Sequence, residues 1–337
     1  MVNSIHNISP LLNEHKVIGA ICFIREFASI GETVARATLN IDKSNINAHT
    51  FEIYENSGSF NRQYQQNRLN NGTRFTFEHI IGDDADFIKI VNFAKMASAT
   101  PSPIMIYGET GTGKELFAQS IHNASNRRNN SYVAINCAAI PENLLEGILF
   151  GTTKGAFTGS LDKVGLFEEA NGGTILLDEI NSMSIGLQAK LLRTLQEKKV
   201  RRIGSLKEID IDIKIISSTN EPPQTACNLG KFRKDLFYRL GVVFIQIPPL
   251  RDRKNDLEKL VGYFLSKCNK YLKKEITTVS SEVMQLFYNY HWPGNVRELE
   301  HIIEGAMNVM KDKEVLSLEH ISVHIGNFKH LSNSHIP

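Results

Sequence analysis

The sequence is poor in the features that mark specialised classes. Only four of its 337 residues are cysteines, Cys22, Cys137, Cys227 and Cys268, and no two have C-x-x-C or zinc-ligand spacing. A disulfide framework and a structural zinc are therefore excluded, and the thiols read as buried or half-buried in a reducing compartment. The net charge is only +2, so no bulk field points to nucleic acid or an anionic membrane. Any such contact has to be local. The longest apolar runs, such as 242–247, have the length of a strand and fall far short of a membrane span. No basic-then-apolar leader opens the chain, and the expected compartment is cytoplasmic. What remains is ordinary globular protein, 42% hydrophobic and 22% charged, long enough for two domains.

Three zones differ in texture. Residues 1–27 hold one strand-like run, Val17-Ile18-Gly19-Ala20-Ile21-Cys22-Phe23-Ile24, and one strand cannot form a domain. Residues 28–75 are polar, rich in Asn and Gln, and read as a linker, partly helical near 30–39. From Phe75 strands and helices alternate. Strands are expected at 104–107, 133–136, 174–177, 209–217 and 242–247, and helices at 114–125, 141–150, 184–198 and 231–240. That alternation predicts an α/β fold, a mostly parallel sheet covered on both faces. After Pro248-Pro249 the pattern is purely helical, at 256–271, 281–290 and 295–310, which predicts a small all-α domain.

Gly108-Glu109-Thr110-Gly111-Thr112-Gly113-Lys114 has the G-x-x-x-x-G-K form and lies between a strand and a helix. Its glycines let backbone N–H groups curl around a β-phosphate, and Lys114 reaches the β- and γ-phosphates. The Ser or Thr that usually follows the lysine is replaced by Glu115, so taken alone the string competes with a chance Gly-rich turn. A second string narrows that choice. Gly173-Thr174-Ile175-Leu176-Leu177-Asp178-Glu179 is an apolar strand ending in two acids, a costly arrangement unless a cation or ligand engages them. Asp178 is expected to hold Mg²⁺ and Glu179 to polarise the attacking water, with ATP as the nucleotide. Asn220, at the tip of a further strand, is placed to sense a γ-phosphate or is simply a turn residue.

The stretch from Phe75 to about Ile325 resembles the AAA+ domain of sigma-54-dependent transcriptional activators, the bacterial enhancer-binding proteins. The diagnostic string is Gly155-Ala156-Phe157-Thr158-Gly159-Ser160, similar to that family's GAFTGA loop. Around it lie Asn136-Cys137-Ala138-Ala139, Leu149-Phe150-Gly151, Phe232-Arg233-Lys234-Asp235-Leu236-Phe237-Tyr238-Arg239-Leu240, Pro248-Pro249-Leu250-Arg251-Asp252-Arg253 and Trp292-Pro293-Gly294-Asn295-Val296-Arg297-Glu298-Leu299. Glu115, odd for a generic phosphate loop, is what this family normally carries there. The resemblance implies an AAA+ P-loop ATPase (residues 76–248) with a helical lid (249–325) and a short tail (326–337).

Roles follow from the same resemblance. Asn136 resembles a switch residue that restrains the catalytic glutamate. Arg233 and Arg239 stand where arginine fingers reach a neighbouring subunit's site, which implies a homo-oligomer, expected to be a hexamer. Arg297 resembles the second sensor arginine of the lid. Residues 155–160 would grip sigma-54 and so act on its RNA polymerase. Read without the resemblance, Arg233 and Arg239 are solvated helix charges, and 294–297 is a helix–turn–helix corner that reads DNA.

Two departures stand out. Ser160 replaces the loop's final alanine, and the preceding segment, usually S-E-L-F-G-H-E, reads Gly147-Ile148-Leu149-Phe150-Gly151-Thr152-Thr153. An acid, a His and a second acid are lost ahead of the loop. Residues 16–23 resemble the last strand of a PAS sensory domain, an arrangement most similar to the arginine-utilisation regulators of Gram-positive bacteria. The family's C-terminal helix–turn–helix is not visible, so the chain reads as truncated at both ends, with promoter or enhancer DNA a partner of the full-length protein only. The alternatives are a sigma-54-binding module without productive remodelling, or an AAA+ machine of another family.

Overall fold

The computed structural model describes the backbone of residues 3–13 and 16–27, and residues 71–157, 160–311 and 315–321 in full. The chain divides into two units, Met1–Gln66 and Asn67–Pro337. In the first, β1 (Asn3–Asn13) and β2 (Lys16–Phe27) pair antiparallel, with the register shifting between Leu11 and Leu12. Only β2 was expected. Pro10, which cannot donate to a ladder, sits opposite Ala20. The expected linker lies outside the described residues from 28 to 70. Residues 71–75 belong to the second unit and are anchored within it. Thr73 is fully buried, Asn71 donates to Asn123 Oδ1 at 2.8 Å, and the amides of Arg74 and Phe75 donate to Gln119 Oε1.

Helix α1 (Ala85–Ser98) starts at Asp84, whose carboxylate accepts from the Asp86 and Phe87 amides. It leads to β3 (Ile104–Tyr107), α2 (Lys114–Asn123), β4 (Tyr132–Asn136), α3 (Glu142–Phe150), the single turn α4 (Leu166–Glu169) and β5 (Thr174–Asp178). Then follow α5 (Ile185–Glu197), the hairpin β6 (Lys199–Arg201) and β7 (Glu208–Asp210), β8 (Lys214–Thr219), α6 (Pro223–Asn228), α7 (Lys234–Leu240) and β9 (Val243–Gln246). The five long strands form a parallel sheet in the order β4-β5-β8-β3-β9. Successive residues of β3 enter different cores. Ile104 and Ile106 pack with Phe87, Phe117 and Ile121, whereas Met105 joins the cluster of Phe150, Phe167 and Leu191. Both faces of the sheet are thus covered, as buried parallel strands require.

The single strand expected at 209–217 is two strands in different sheets. The bend between them gives its backbone to side chains: Asn171 accepts from the Asp212 amide at 2.8 Å, and Arg127 donates to the Asp212 carbonyl at 2.7 Å. A run of alternating isoleucines hides that break, because both halves keep the period of a strand.

The helical part consists of α8 (Leu257–Leu272), α9 (Ser281–Asn289) and α10 (Asn295–Val309). On α10 the buried residues Leu299, Ile302, Ile303, Ala306 and Met307 follow helical spacing and make one apolar stripe. Trp292 is fully buried beside Phe287, and its indole N–H donates to the Phe287 carbonyl at 2.9 Å. Residues 322–337, including the expected tail, lie outside the described residues. Among the described residues no helix is long and apolar enough to cross a membrane.

Candidate functional site

The parallel register brings the C-terminal ends of four strands to one edge. Asn136 pairs with Asp178, Leu177 with Ser217, and Tyr107 with Thr219, so the phosphate loop leaving β3 opens beside the acids leaving β5. That edge is where ligands bind in open α/β sheets. Gly111 (φ +81°) and Gly113 (φ +99°) take the left-handed turns that curl the loop and set Gly113 as the N-cap of α2. Lys114 Nζ donates to the carbonyls of Gly108 (2.7 Å) and Glu109 (3.2 Å). Burial lowers its pKa, while the charges of Asp178 and Glu179 act the other way and Arg297 adds to the lowering. Lys114, both acids and Arg297 therefore share one electrostatic neighbourhood.

The two acids are held differently. Asp178 accepts a short hydrogen bond from Ser218 Oγ and a 3.2 Å bond from Asn136 Nδ2. Glu179 takes a left-handed backbone (φ 53°), and its amide donates to Ser218 Oγ at 3.1 Å. Asn136 thus restrains Asp178. Asn136 stands level with Asp178 in the ladder, and the chain turns at Glu179 immediately after it. The Asn136 side-chain oxygen Oδ1 accepts from the amides of Ala138 and Ala139. Asn220 accepts from Asn181 Nδ2 at 3.4 Å and lies at the same edge, just after β8. Glu115 accepts from Gln119 Nε2 at 3.0 Å, the same amide group that receives the entry segment at 74–75. Its carboxylate is thus engaged by α2 itself.

The lid sits directly on the phosphate loop. Gly111 accepts from the amides of Val296 (3.1 Å) and Arg297 (3.4 Å), and a Cβ on Gly111 would meet the Gly294 carbonyl at 2.2 Å. Asn295 donates to the Thr110 carbonyl and to Glu109 Oε2, and accepts from the Leu250 amide. Arg251 forks onto both oxygens of Glu109 at 2.9 and 2.5 Å. Thr112 is buried, its hydroxyl donating to the Glu109 carbonyl. Residues 294–297 are therefore a lid contact, which rules against their reading as a DNA-reading corner. Sequence reasoning missed Ser218, Arg251 and Asn295 as site residues. The latter two stood inside recognised strings, which was the available signal. Ser218 gave none beyond its place two residues before Asn220.

Arg233 is the N-cap of α7 and pairs with Asp235 at 2.7 Å, while Arg239 donates to the Leu195 carbonyl at 2.9 Å. Neither side chain is hydrogen-bonded to its own chain's phosphate loop or acids. The 155–160 loop leaves α3 through Gly151-Thr152-Thr153, and Phe157 is more than half exposed. Thr158 and Gly159 lie outside the described residues. Among the described residues no three His, Cys, Asp or Glu side chains form a metal cluster.

Residues 80–246 match the family described as Sigma-54 interaction domain, and 251–335 match the AAA+ ATPase lid domain. Transcriptional activator RocR of Bacillus subtilis (strain 168) is 50% identical over 271 residues, 80% of this chain and 59% of that protein. Regulatory protein AtoC of Escherichia coli (strain K12) is 44% identical over 236 residues, 70% of this chain and 51% of that one. The crystal structure of NtrX from Brucella abortus in complex with ATP is similar at a TM-score of 0.70 and 30% identity, covering 86% of this chain and 63% of that one. The chain spans about half the length of the curated relatives it matches.

Proposed function

We propose a function from one premise: the chain belongs to the sigma-54-dependent transcriptional activators and carries their interaction domain followed by an AAA+ lid. It binds ATP with Mg²⁺, hydrolyses it in a homo-oligomeric ring, expected to be a hexamer, and uses the 155–160 loop to remodel sigma-54 RNA polymerase. The observation that carries this reading is the strand register that opens the glycine-rich loop and Lys114 beside Asp178 and Glu179, with the amide of the lid's Arg297 bonded to Gly111.

The residues present fit a nucleotide. Gly111 and Gly113 take the left-handed turns of the loop, and Lys114 is half-buried and held by the Gly108 and Glu109 carbonyls, which a phosphate oxygen outcompetes. Bound ATP supplies the phosphoanhydride whose cleavage releases the work. Lys114 and the amides that open α2 offset the phosphate charge. Ser218 and Asn136 fix the Asp178 carboxylate for the metal, and Ser218 also pins the backbone of Glu179, which takes the proton of the attacking water. Arg233 and Arg239 are supplied to a neighbour's site, where an arginine finger is typically worth roughly 10³–10⁵ in rate. Asn220, Glu115, Glu109, Thr110 and Thr112 complete the nucleotide site by position.

The test is Glu179→Ala assayed for nucleotide binding, hydrolysis and open-complex formation with sigma-54 holoenzyme. Retained binding with lost turnover supports the assignment, and normal hydrolysis overturns it. Thr158→Ala should hydrolyse ATP and fail to remodel. The rival reading, a sigma-54-binding module without productive remodelling, draws on the lost acids at 148 and 153 and the lost His at 152. It gains if the wild-type chain hydrolyses ATP but opens no promoter.

A further inference from the structure

The three hydroxyl residues that depart from the family's loop sequence, Thr152, Thr153 and Ser160, come together in one hydrogen-bonded neck. Thr152 pairs with Lys163 through the backbone in both directions, and its hydroxyl donates to the Leu161 carbonyl at 2.7 Å. Thr153 donates twice to the Ile203 carbonyl, from its amide and its hydroxyl, each at 3.0 Å. Ser160, 7% exposed, closes the neck: its hydroxyl donates to the Thr153 carbonyl at 3.1 Å and accepts from the Phe157 amide at 3.1 Å. The Lys154 amide donates to Asp162 Oδ1. Ile203 belongs to the hairpin between β6 and β7, and a Cβ on its neighbour Gly204 would lie 2.6 Å from Ala156 Cβ. An alanine at 160, as in the family, has no hydroxyl to make either of the Ser160 bonds.

We propose that Ser160 is a positioning residue whose hydroxyl, through Thr153, clasps the base of the loop to the β6–β7 hairpin and sets how easily the loop is released toward sigma-54. The proposal rests on the loop's being the sigma-54 contact. The hydroxyls at 152 and 153 stand where the family's string has a His and an acid, and the hydroxyl at 160 where it has an alanine, so the neck holds by short-range neutral bonds that ionic strength does not screen. A buried hydroxyl that both donates and accepts shifts a two-state opening by about ten-fold.

Amide hydrogen exchange on the full chain with ADP tests the clasp. The reporters are the Lys154 and Ala156 amides, neither of which bonds to Ser160. Ser160→Ala should speed their exchange about ten-fold, while Ser160→Thr, which keeps the hydroxyl, stays within about two-fold of wild type. Unchanged exchange in Ser160→Ala, or equal acceleration in both variants, overturns the clasp. The second readout is sigma-54 affinity with ADP–aluminium fluoride divided by affinity with ADP. That ratio should fall about ten-fold in Ser160→Ala, and a loosened neck with an unchanged ratio overturns the coupling to release. If wild type binds sigma-54 in neither state, the functional reading fails, and the exchange result still judges the clasp by itself.

Discussion

Replacing Arg251 with methionine should loosen the lid from the phosphate loop and weaken nucleotide binding. The guanidinium makes two bonds to Glu109, and the paired side chains are 36% and 33% exposed. A fully exposed pair is worth about 0–1 kcal/mol and a broken buried one about 3–5, so this half-screened fork falls at about 1–2 kcal/mol. Asn295 keeps one contact to Glu109 at 3.2 Å, which limits the loss. About 1.4 kcal/mol corresponds to roughly ten-fold weaker binding of a fluorescent ATP analogue. Glu109→Gln should cost a similar amount, and the double variant little more than either single one, for a coupling of about 1 kcal/mol. The Arg251 bond holds the Glu109 carboxyl below its usual pKa. With the folded value below the unfolded one, the stabilisation is present at neutral pH and disappears as pH falls through the folded value, below the ordinary 4.5. Wild-type affinity in Arg251→Met, or strictly additive losses, would refute the latch.

Lys214 is 2% exposed, and its ammonium donates to the carbonyls of Ser98 (2.6 Å) and Thr100 (2.7 Å) at the end of α1, with Ala97 at 3.3 Å. Lys214→Met should destabilise the domain by about 3 kcal/mol in urea unfolding, because those carbonyls lose their donor; a loss under 1 kcal/mol would contradict that role. Burial lowers Lys214 to about 8 from 10.5, so the unfolded chain holds more protons in that window. This group's contribution to stability therefore rises with pH from about 8 to about 10.5, a slope that Lys214→Met should lack. Trp292→Ala should cost about 3–5 kcal/mol and unfold the lid, read as lost protection of α10 amides in hydrogen exchange. Ser218→Ala, which frees Asp178 and the Glu179 amide together, should lower kcat more than it raises KM; an effect confined to KM would argue against a positioning role.

The parts of the site that were legible in the sequence are strings whose chemistry is local. A glycine-rich turn before Lys114 and two acids after three apolar residues need only their neighbours to be read. The fold class followed for the same reason, since strand and helix periods are short. What stayed hidden depends on distant partners. Arg251 and Glu109 are 142 positions apart, and nothing in either string names the other. Ladder register puts Asn136 opposite Asp178, and register is not written in a single strand. The break between β7 and β8 was invisible because isoleucines at 209, 211, 213 and 215 keep a strand's period across a bend held by Arg127 and Asn171. Ser160 reads as a mild replacement for alanine, and only the fold brings its hydroxyl to the Thr153 carbonyl.

The proposed delivery of Arg233 and Arg239 to a neighbour's site has to overcome the contacts they make at home. Arg233 sits in an ion pair with Asp235 whose members are 35% and 48% exposed, a class of pair worth at most about 1 kcal/mol. Arg239, also exposed, gives up one hydrogen bond to the Leu195 carbonyl, which water can replace. Both guanidiniums are therefore held in place yet cheaply released, whereas Arg253 is 2% exposed, lies over the Phe87 ring and pairs with buried Asp256. The energetic contrast separates an arginine built into the domain from two that are free to be exchanged for a phosphate. Since a trigonal phosphoryl group in a water-poor site offers each fork far more than Asp235 or a carbonyl does, transfer is downhill once a neighbouring nucleotide comes within reach.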